Sequence, residues 1–374
     1  MATGLRWGLV VLLAAHGLVH FLGAAKAFGV AELPQLTQPI SRLGGAGWLA
    51  AGIAVLLTAA LLAASSGAWL WVAPVAAVLS QAMIVFSWSD AKYGTVVNVV
   101  LVVAAAWAFA TEGPWSLRAE YRREVEQRLT GDWPAAVVGA DDVERLPEPV
   151  RRYLRATGAV GRPVPQHVRA RWSGRIRGGP TDPWMSFEAE QHNFSAEPAR
   201  LFMMDARRGG VPVHVLHRFV HGEATMRARA LGMVTVAAGG GPEFTRAETV
   251  TLLNDFCLLA PGALVGRAFR WDAIDRGSAR VTYALGAHTV SAVLTVNEAG
   301  DLVDFVSDDR AAMSKDGQQL LRQRWSTPIL SHQSIGGTRA MLRAEGRWHP
   351  PEGDYAYIEL DLVDLVQEPP ADLG

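Results

Sequence analysis

Apolar residues fill four long runs in the first third of the chain, roughly Leu5 to Val30, Leu43 to Ala64, Ala68 to Trp88 and Tyr93 to Ala110. Each run holds about 18 to 25 residues, enough for a helix to cross a ~30 Å hydrocarbon core. Glu112-Gly113-Pro114 ends the pattern, and Trp115 to Leu129 reads as an amphipathic helix with Glu and Arg on its wet face, suited to lying along a membrane surface. A further helical stretch opens at Asp141-Asp142-Val143-Glu144, is interrupted by Pro147 and Pro149, and runs from Val150 to Ala156 before Gly158.

From Val168 the period changes to two. Val168, Ala170, Trp172 and Ile176 alternate with Arg169, Arg171, Ser173, Arg175 and Arg177, the signature of a half-buried strand with one basic face. Further strands are predicted at Trp184 to Phe194, Arg200 to Ala206, Val211 to His221, Glu223 to Ala230, Ala268 to Ile274 and Ala279 to Leu285. A hairpin joins His288 to Val296 with Leu302 to Val306 across a turn containing Gly300, and Gln323 to Thr327, Arg339 to Trp348 and Tyr355 to Val366 close the series. Without alternating helices there is no support for a parallel sheet. One helix interrupts the meander: Thr245-Arg246-Ala247-Glu248 matches a capping box, an apolar run from Val250 to Leu259 follows, and Ala260-Pro261-Gly262 stops it.

The fold class is therefore a four-span α-helical membrane bundle (residues 1–111), an amphipathic helical linker (112–160) and a β-rich α+β soluble domain (161–374). The last is expected to be a curved antiparallel sheet or half-barrel packed on one or two helices. Lys26 and the three later spans favour a multi-pass bundle over a cleaved signal peptide. Gly and Ala within the spans predict close helix packing, and Trp48, Trp69, Trp71, Trp88, Trp107 and Trp115 near the span ends predict an interfacial belt.

Composition sharpens this picture. The chain is 50% hydrophobic and 19% charged, with a formal net charge of -1, so no basic field of the kind nucleic acid needs is present and nucleic acid is excluded as a partner. The single cysteine, Cys257, excludes an internal disulfide and reads as a small buried hydrophobe. Arg6, Arg118, Arg122, Arg123 and Arg128 lie on one side of the bundle, against Lys26, Arg42 and Lys92 on the other. The excess places the chain in the cell membrane with its soluble domain cytoplasmic.

Candidate chemistry falls in two places. Antiparallel connectivity brings His16, His20, Lys26, Gln81, Asp90, Lys92 and Asn98 toward one membrane face, and His16 and His20 share a helix face. A rise of ~1.5 Å per residue puts His16 and Gln81 ~15 Å, and His20 and Asn98 ~9 Å, below the rim marked by Lys26 and Lys92. Ionisable groups at such depth suggest a metal, haem or quinone site with His16 and His20 as possible ligands; the alternative is that they fix the helices while Asp90 and Lys92 form a loop ion pair. Two histidines on adjacent turns cannot both be axial ligands of one haem.

The second place is the Arg169, Arg171, Arg175 and Arg177 face, which suits anionic headgroups or, alternatively, is a solvated face paired with acids such as Glu188 and Glu190. Glu248, Thr251 and Asp255 recur at helical spacing and read as a solvent face, with Asn254 beside them. His217 and His221 share a strand face that His214 does not, so the three read as structural or surface groups. No hydrolase, zincin, Walker or dinucleotide motif occurs, and no cofactor or reaction is assigned.

The set His16-x-x-x-His20 with Lys26, Leu36-Thr37-Gln38-Pro39-Ile40-Ser41, Ser80-Gln81 and Trp88-Ser89-Asp90-Ala91-Lys92-Tyr93-Gly94-Thr95 resembles an uncharacterised bacterial membrane-protein family, domain of unknown function 6544. Leu146-Pro147-Glu148-Pro149-Val150-Arg151-Arg152-Tyr153-Leu154, Ala247-Glu248-Thr249-Val250 with Asn254-Asp255, and Gly346-Arg347-Trp348 carry the same resemblance. It implies no activity and no catalytic residues. In pattern the soluble part is similar to LolA-like lipoprotein-carrier half-barrels, which implies an apolar ligand groove. The membrane half resembles DoxX-like four-helix proteins, which implies a redox or quinone setting. Three functions follow as expectations: a membrane-tethered half-barrel that binds a lipid or other apolar small molecule, an oxidoreductase-like or metal site in the bundle, or a structural role in envelope assembly.

Overall fold

A computed structural model describes residues 3–131, 133, 136–314, 319–335 and 338–368. They divide into two compact units, Met1–Ser116 and Leu117–Gly374.

In the first unit, α1 (Thr3–Ala27), α2 (Arg42–Ala63), α3 (Trp69–Phe86) and α5 (Gly94–Glu112) are each long and apolar enough to cross a membrane, and the short α4 (Trp88–Ala91) links the last two. Consecutive spans pack on each other, and α1 also meets α5. Small residues set the approach of α1 to α2: a Cβ on Gly23 would lie 2.6 Å from the Trp48 ring, and one on Gly45 would lie 2.4 Å from Ala27 Cβ. The expected Trp belt is corrected at two of its members, one at each end of the bundle. Trp48 and Trp69 are buried inside the bundle, whereas Trp71, Trp88 and Trp115 are exposed.

The second unit opens with α6 (Leu117–Leu129), α7 (Ala140–Glu144) and α8 (Glu148–Ala156). Leu117, Tyr121 and Val125 of α6 pack on Phe194, Leu201, Met203, Leu216 and Val220, which point out from one face of the following sheet. Its apolar stripe is thus taken up by protein, which corrects the expectation that this helix lies on a membrane surface. Salt bridges Arg118–Asp205, Glu120–Arg227 and Glu124–Arg218 frame the contact.

The sheet begins with β1 (His167–Ile176), β2 (Met185–Phe194), β3 (Ala199–Arg208), β4 (Val211–Val220), β5 (Glu223–Ala230) and β6 (Val234–Gly239). Helix α9 (Pro242–Leu259) and a 3-10 turn at Pro261–Val265 intervene. There follow β7 (Phe269–Ala273), β8 (Ser278–Leu285), β9 (His288–Val296), β10 (Leu302–Ser307), β11 (Ala311–Met313) and β12 (Leu320–Arg322). The chain returns through β13 (Trp325–Ser326), β14 (Ile329–Ile335), β15 (Thr338–Trp348) and β16 (Tyr355–Glu368).

Among the described residues, fourteen of these strands form one open sheet in the order β6-β5-β4-β3-β2-β1-β16-β15-β13-β10-β9-β8-β7, with β14 beside β15 and β11-β12 separate. The first and last strands of the unit pair antiparallel, so β1 and β16 join two wings at the centre. The inner face and α9 share the main core, including Trp172, Phe202, Leu252, Leu253, Phe256 and Phe305. This is the antiparallel half-barrel that the alternation predicts. Four strands are absent from that prediction: β6 is an exposed, small-residue edge strand, β11 and β12 have three residues each, and β14 slips register twice against β15.

Helix α9 starts earlier than the Thr245 capping box implies. Gly241, at φ 89°, leads into Pro242, and Thr245 Oγ1 sits one turn inside, donating to Gly241 O at 2.9 Å and accepting from Ala224 N at 3.1 Å. A positive-φ glycine followed by proline outcompetes the side-chain cap.

At the β9–β10 turn, Gly300 has φ 89°, and an added Cβ would lie 2.9 Å from Arg152 O and 2.6 Å from Ala156 Cβ of α8. Gly286, at φ 58°, meets nothing within 4 Å. Gly286→Ala is expected to cost about 1 kcal/mol from backbone strain alone, and Gly300→Ala at least about twice that, because the clash adds to the strain. Unfolding of the full chain in detergent measures both, and equal costs would contradict the packing described.

Candidate functional site

The structure brings together four of the seven residues singled out in the bundle, and it does so around Ser80. His16 Nε2 and His20 Nε2 lie 3.2 and 2.9 Å from Ser80 Oγ, and Asn98 Oδ1 lies 2.9 Å from it on another side. The chain continues from Asn98 Nδ2 to Gln81 Oε1 at 2.9 Å and from Gln81 Nε2 to Thr95 Oγ1 at 3.1 Å. His20 Nδ1 donates to His16 O at 2.9 Å, which fixes its tautomer. One hydroxyl hydrogen on Ser80 cannot serve both His20 Nε2 and Asn98 Oδ1. Turning both amides over reverses the chain's polarity and lets the Ser80 hydroxyl donate to His20 Nε2 with that ring neutral.

The other three lie outside this chain. Lys26 Nζ donates to the carbonyls of Leu36 and Gln38, while Asp90 accepts from Thr37 Oγ1 at 2.6 Å and Gln38 N at 2.9 Å, so both tie down the α1–α2 loop. Lys92 lies over the Tyr93 ring, and no Asp90–Lys92 ion pair forms among the described residues. Among those residues no group of three or more His, Cys, Asp or Glu is placed to hold a metal ion.

The arginine face is paired across the sheet centre. Register sets Arg171 opposite Asp364 and Arg175 opposite Glu359 on β16. Asp364 accepts from Arg169 at 3.2 Å and Arg171 at 3.3 Å, and Arg175 makes a bidentate contact to Glu359 at 2.7 Å. Arg177 donates to the carbonyls of Ala356 and Pro180 and lies over the Trp184 ring. The acids that Arg169, Arg171 and Arg175 hydrogen-bond thus come from β16, while Glu190, opposite Arg171 on β2, feels the Arg169 charge.

A third place was misread from the sequence. Glu248, Thr251, Asn254 and Asp255 are all buried, so the stripe read as a solvent face of α9 turns inward. It lines a cavity of about 180 Å³ between α9 and the sheet. Trp172, Phe202, Met204, Leu258 and Met341 supply apolar wall, and half-buried Ile176, Trp348, Tyr357 and Ile358 also line it. A wider cleft of about 350 Å³ beside Pro163, Pro261 and Leu365 has, among the described residues, only Arg162 as a charged lining group.

The carboxylates in the smaller cavity are held by arginines from opposite wings. Asp255 Oδ2 accepts from Arg200 Nε at 2.7 Å, Gln191 Nε2 at 2.7 Å and Asn193 Nδ2 at 3.0 Å. Glu248 Oε1 accepts from Arg310 Nη1 at 2.7 Å, and Arg310 lies over the Trp325 ring. Burial raises both carboxyls, but Arg310, His217 and Arg200 overcome it at Glu248 and hold that group below its ordinary range. At Asp255 burial prevails over Arg200 and Asn193 and leaves a net upward shift. Arg200, 2.7 Å from Oδ2, is the group that most favours its charged form. Burial pushes His217 down to about 4, against the pull of Glu248, and pushes the Cys257 thiol up, out of reactive range.

Several polar atoms of this wall have no hydrogen-bond partner among the described residues: Thr251 Oγ1, Asn254 Oδ1, Thr327 Oγ1, Trp325 Nε1, Arg310 Nε and His217 Nδ1. His217 Nδ1 faces Glu248 Oε2 at 3.9 Å, close enough for charge but too far for a hydrogen bond. His214 points to the other face and pairs with Asp205 at 2.7 Å, and exposed His221 sits in a turn, so the three histidines do not meet. One signal in the sequence bears on the site: the rest of α9 is also apolar, which leaves its polar stripe no route to water.

A half-barrel with a small cavity under one helix, preceded by four apolar helices, defines the class. Residues 136–360, more than half of the chain, match the family of unknown function DUF6544, and the chain belongs to that family. No curated protein matches. Among solved structures, a DUF1329 family protein from Desulfovibrio piger aligns at TM-score 0.35 and 12% identity, covering 59% of this chain and 92% of that one. A LolA superfamily protein from Nitrosomonas europaea aligns at TM-score 0.32 and 12% identity, covering 56% and 89%. No functional argument rests on likenesses this distant.

Two measurements probe these sites. Ser80→Ala leaves His20 Nε2 and Asn98 without their shared partner and is expected to destabilise the bundle by about 1–2 kcal/mol. Thr58→Val, at a fully buried position, removes the bond from Thr58 Oγ1 to Ala54 O while keeping the side-chain volume and should cost under about 0.5 kcal/mol; equal costs in thermal unfolding would contradict a network role for Ser80. At His217 the folded pKa lies below the usual 6.5, so the unfolded chain takes up the proton first. Stability is full above about pH 6.5 and falls toward pH 4. The side chain is 27% exposed, which limits the loss to about 1–2 kcal/mol. The difference between wild type and His217→Gln should carry this slope, and parallel profiles would contradict it.

Proposed function

We propose that the second unit binds an apolar or amphipathic small molecule in the cavity beneath α9, and that the four spans tether it to the cell membrane. The observation that carries this reading is a cavity with aromatic and aliphatic walls, lined also by a few residues whose polar atoms have no hydrogen-bond partner among the described residues, the usual make-up of a small-molecule site. Its volume, about 180 Å³, is below the ~300 Å³ at which drug-sized sites begin. It therefore takes a short alkyl molecule or one end of a longer lipid. The excess of Arg on the N-terminal side of the bundle supports a cytoplasmic position for this unit.

In this reading the Ser80 chain serves the bundle. Its hydrogen bonds run among its own members, which favours holding α1, α3 and α5 in register over ligating a metal or quinone. The basic β1 face likewise has its acids on β16, which favours sheet pairing over headgroup binding.

Native mass spectrometry of the full chain, released from detergent, tests the proposal. A small apolar adduct is expected on the wild-type protein, and it should be lost from Ile358→Trp, which fills the half-buried side of the cavity while leaving the buried core alone. An adduct unchanged by that substitution, or no adduct and no uptake of added lipid, would overturn the reading.

A further inference from the structure

The binding reading leaves open what head the bound molecule carries, and the polar wall of the cavity restricts the choice. Four charged residues line it: Arg200, Arg310, Glu248 and Asp255, each at least nine-tenths buried. They cancel in two ion pairs, Arg200–Asp255 and Arg310–Glu248, each 2.7 Å long. His217 adds no charge at neutral pH, because burial favours its neutral form. A ligand that brought a net charge to the deep end of the cavity, among these buried pairs, would leave that charge uncompensated, a heavy penalty.

The unpartnered wall atoms point the same way. Trp325 Nε1 and Arg310 Nε can only donate, Asn254 Oδ1 can only accept, the hydroxyls of Thr251 and Thr327 can do either, and His217 Nδ1 does one or the other according to its tautomer. Trp325, Arg310, Asn254, Thr251 and Thr327 are buried and His217 is half-buried. A carboxylate, which only accepts, would leave Asn254 Oδ1 unanswered. A hydroxyl gives one hydrogen and accepts through its oxygen, so it can serve both kinds of atom. The remaining wall, with Phe202, Met204, Leu258 and Leu360, matches a hydrocarbon tail.

We propose that this cavity selects an uncharged amphiphile with a hydroxyl-bearing head and discriminates against a carboxylate of the same chain length. The inference rests on the binding reading above and goes further by naming the ligand class. Thr251 and Asn254 on α9 face the head, and the two ion pairs set the neutral field that excludes its charged counterpart.

Equilibrium binding to the full chain in nanodiscs at pH 8, with empty nanodiscs subtracted, tests this with octan-1-ol, octanoate and octane. Octanol is expected to bind at least about a hundredfold more tightly than octanoate and about tenfold more tightly than octane. The near-isosteric Thr251→Val should weaken octanol severalfold and leave octane unchanged. Octanoate binding as well as octanol would overturn the head-group inference while leaving the cavity a binding site, and so would octane equal to octanol. No specific binding of any of the three would overturn the inference together with the reading beneath it. Should Thr251→Val fail to fold, the wild-type ranking of the three probes decides alone.

Discussion

From Ala247 to Leu259 helix α9 is buried at every position, and that enclosure governs the second unit. A helix carrying Glu248 and Asp255 into an interior must bring a counter-charge to each, because an unpaired buried carboxylate costs several kcal/mol. The sheet supplies both: Arg200 from β3 in one wing and Arg310 beyond β10 in the other. The pairs bridge the wings that β1 and β16 join at the centre. Such pairs are close to neutral as a source of stability, but breaking one is expensive, so their effect is to fix where α9 lies. The cavity follows from this geometry. Where α9 turns its polar stripe to the sheet, the side chains between the ion pairs do not fill the space, and polar atoms of the wall stay unpaired.

The first unit answers a similar problem by other means. Polar side chains inside an apolar bundle need partners, and Ser80 lets two histidines and an asparagine share one oxygen, drawing α1, α3 and α5 together. Glycines at Gly23 and Gly45 let α1 and α2 approach closely enough for Trp48 to reach His20, with ring centroids 5.1 Å apart. Polar pairing and small-residue packing thus act on the same helices. Lys26 and Asp90 work at the rim, where carbonyls and amides of the loop before α2 absorb them.

Patterns that repeat along the chain made much of the fold legible in the sequence. The four spans, the alternation at Val168 to Arg177 and the Gly300 hairpin are local signals, and each corresponds to an element in the structure. Local reading failed where a distant partner decides. The stripe Glu248, Thr251, Asp255 has the spacing of a solvent face, and nothing near it reveals Arg200 or Arg310, which lie about fifty to sixty positions away. The arginines of β1 drew attention as a charged face, yet their acids arrive on β16, close to the other end of the chain. In the bundle, the histidines, Gln81 and Asn98 were legible from depth and topology. Ser80 was not, because a serine in a span is common and its role appears only once three partners converge on it.

The claim at the centre of this account is that the space beneath α9 holds a small amphiphile. Photolabelling the full chain with an alkyl-diazirine alcohol, followed by peptide mapping, addresses it most directly. The account predicts adducts on α9 and the facing strands, at Leu258, Met341 or Ile358, that excess unlabelled octanol removes. Adducts confined to the four spans, with none around α9, would contradict it.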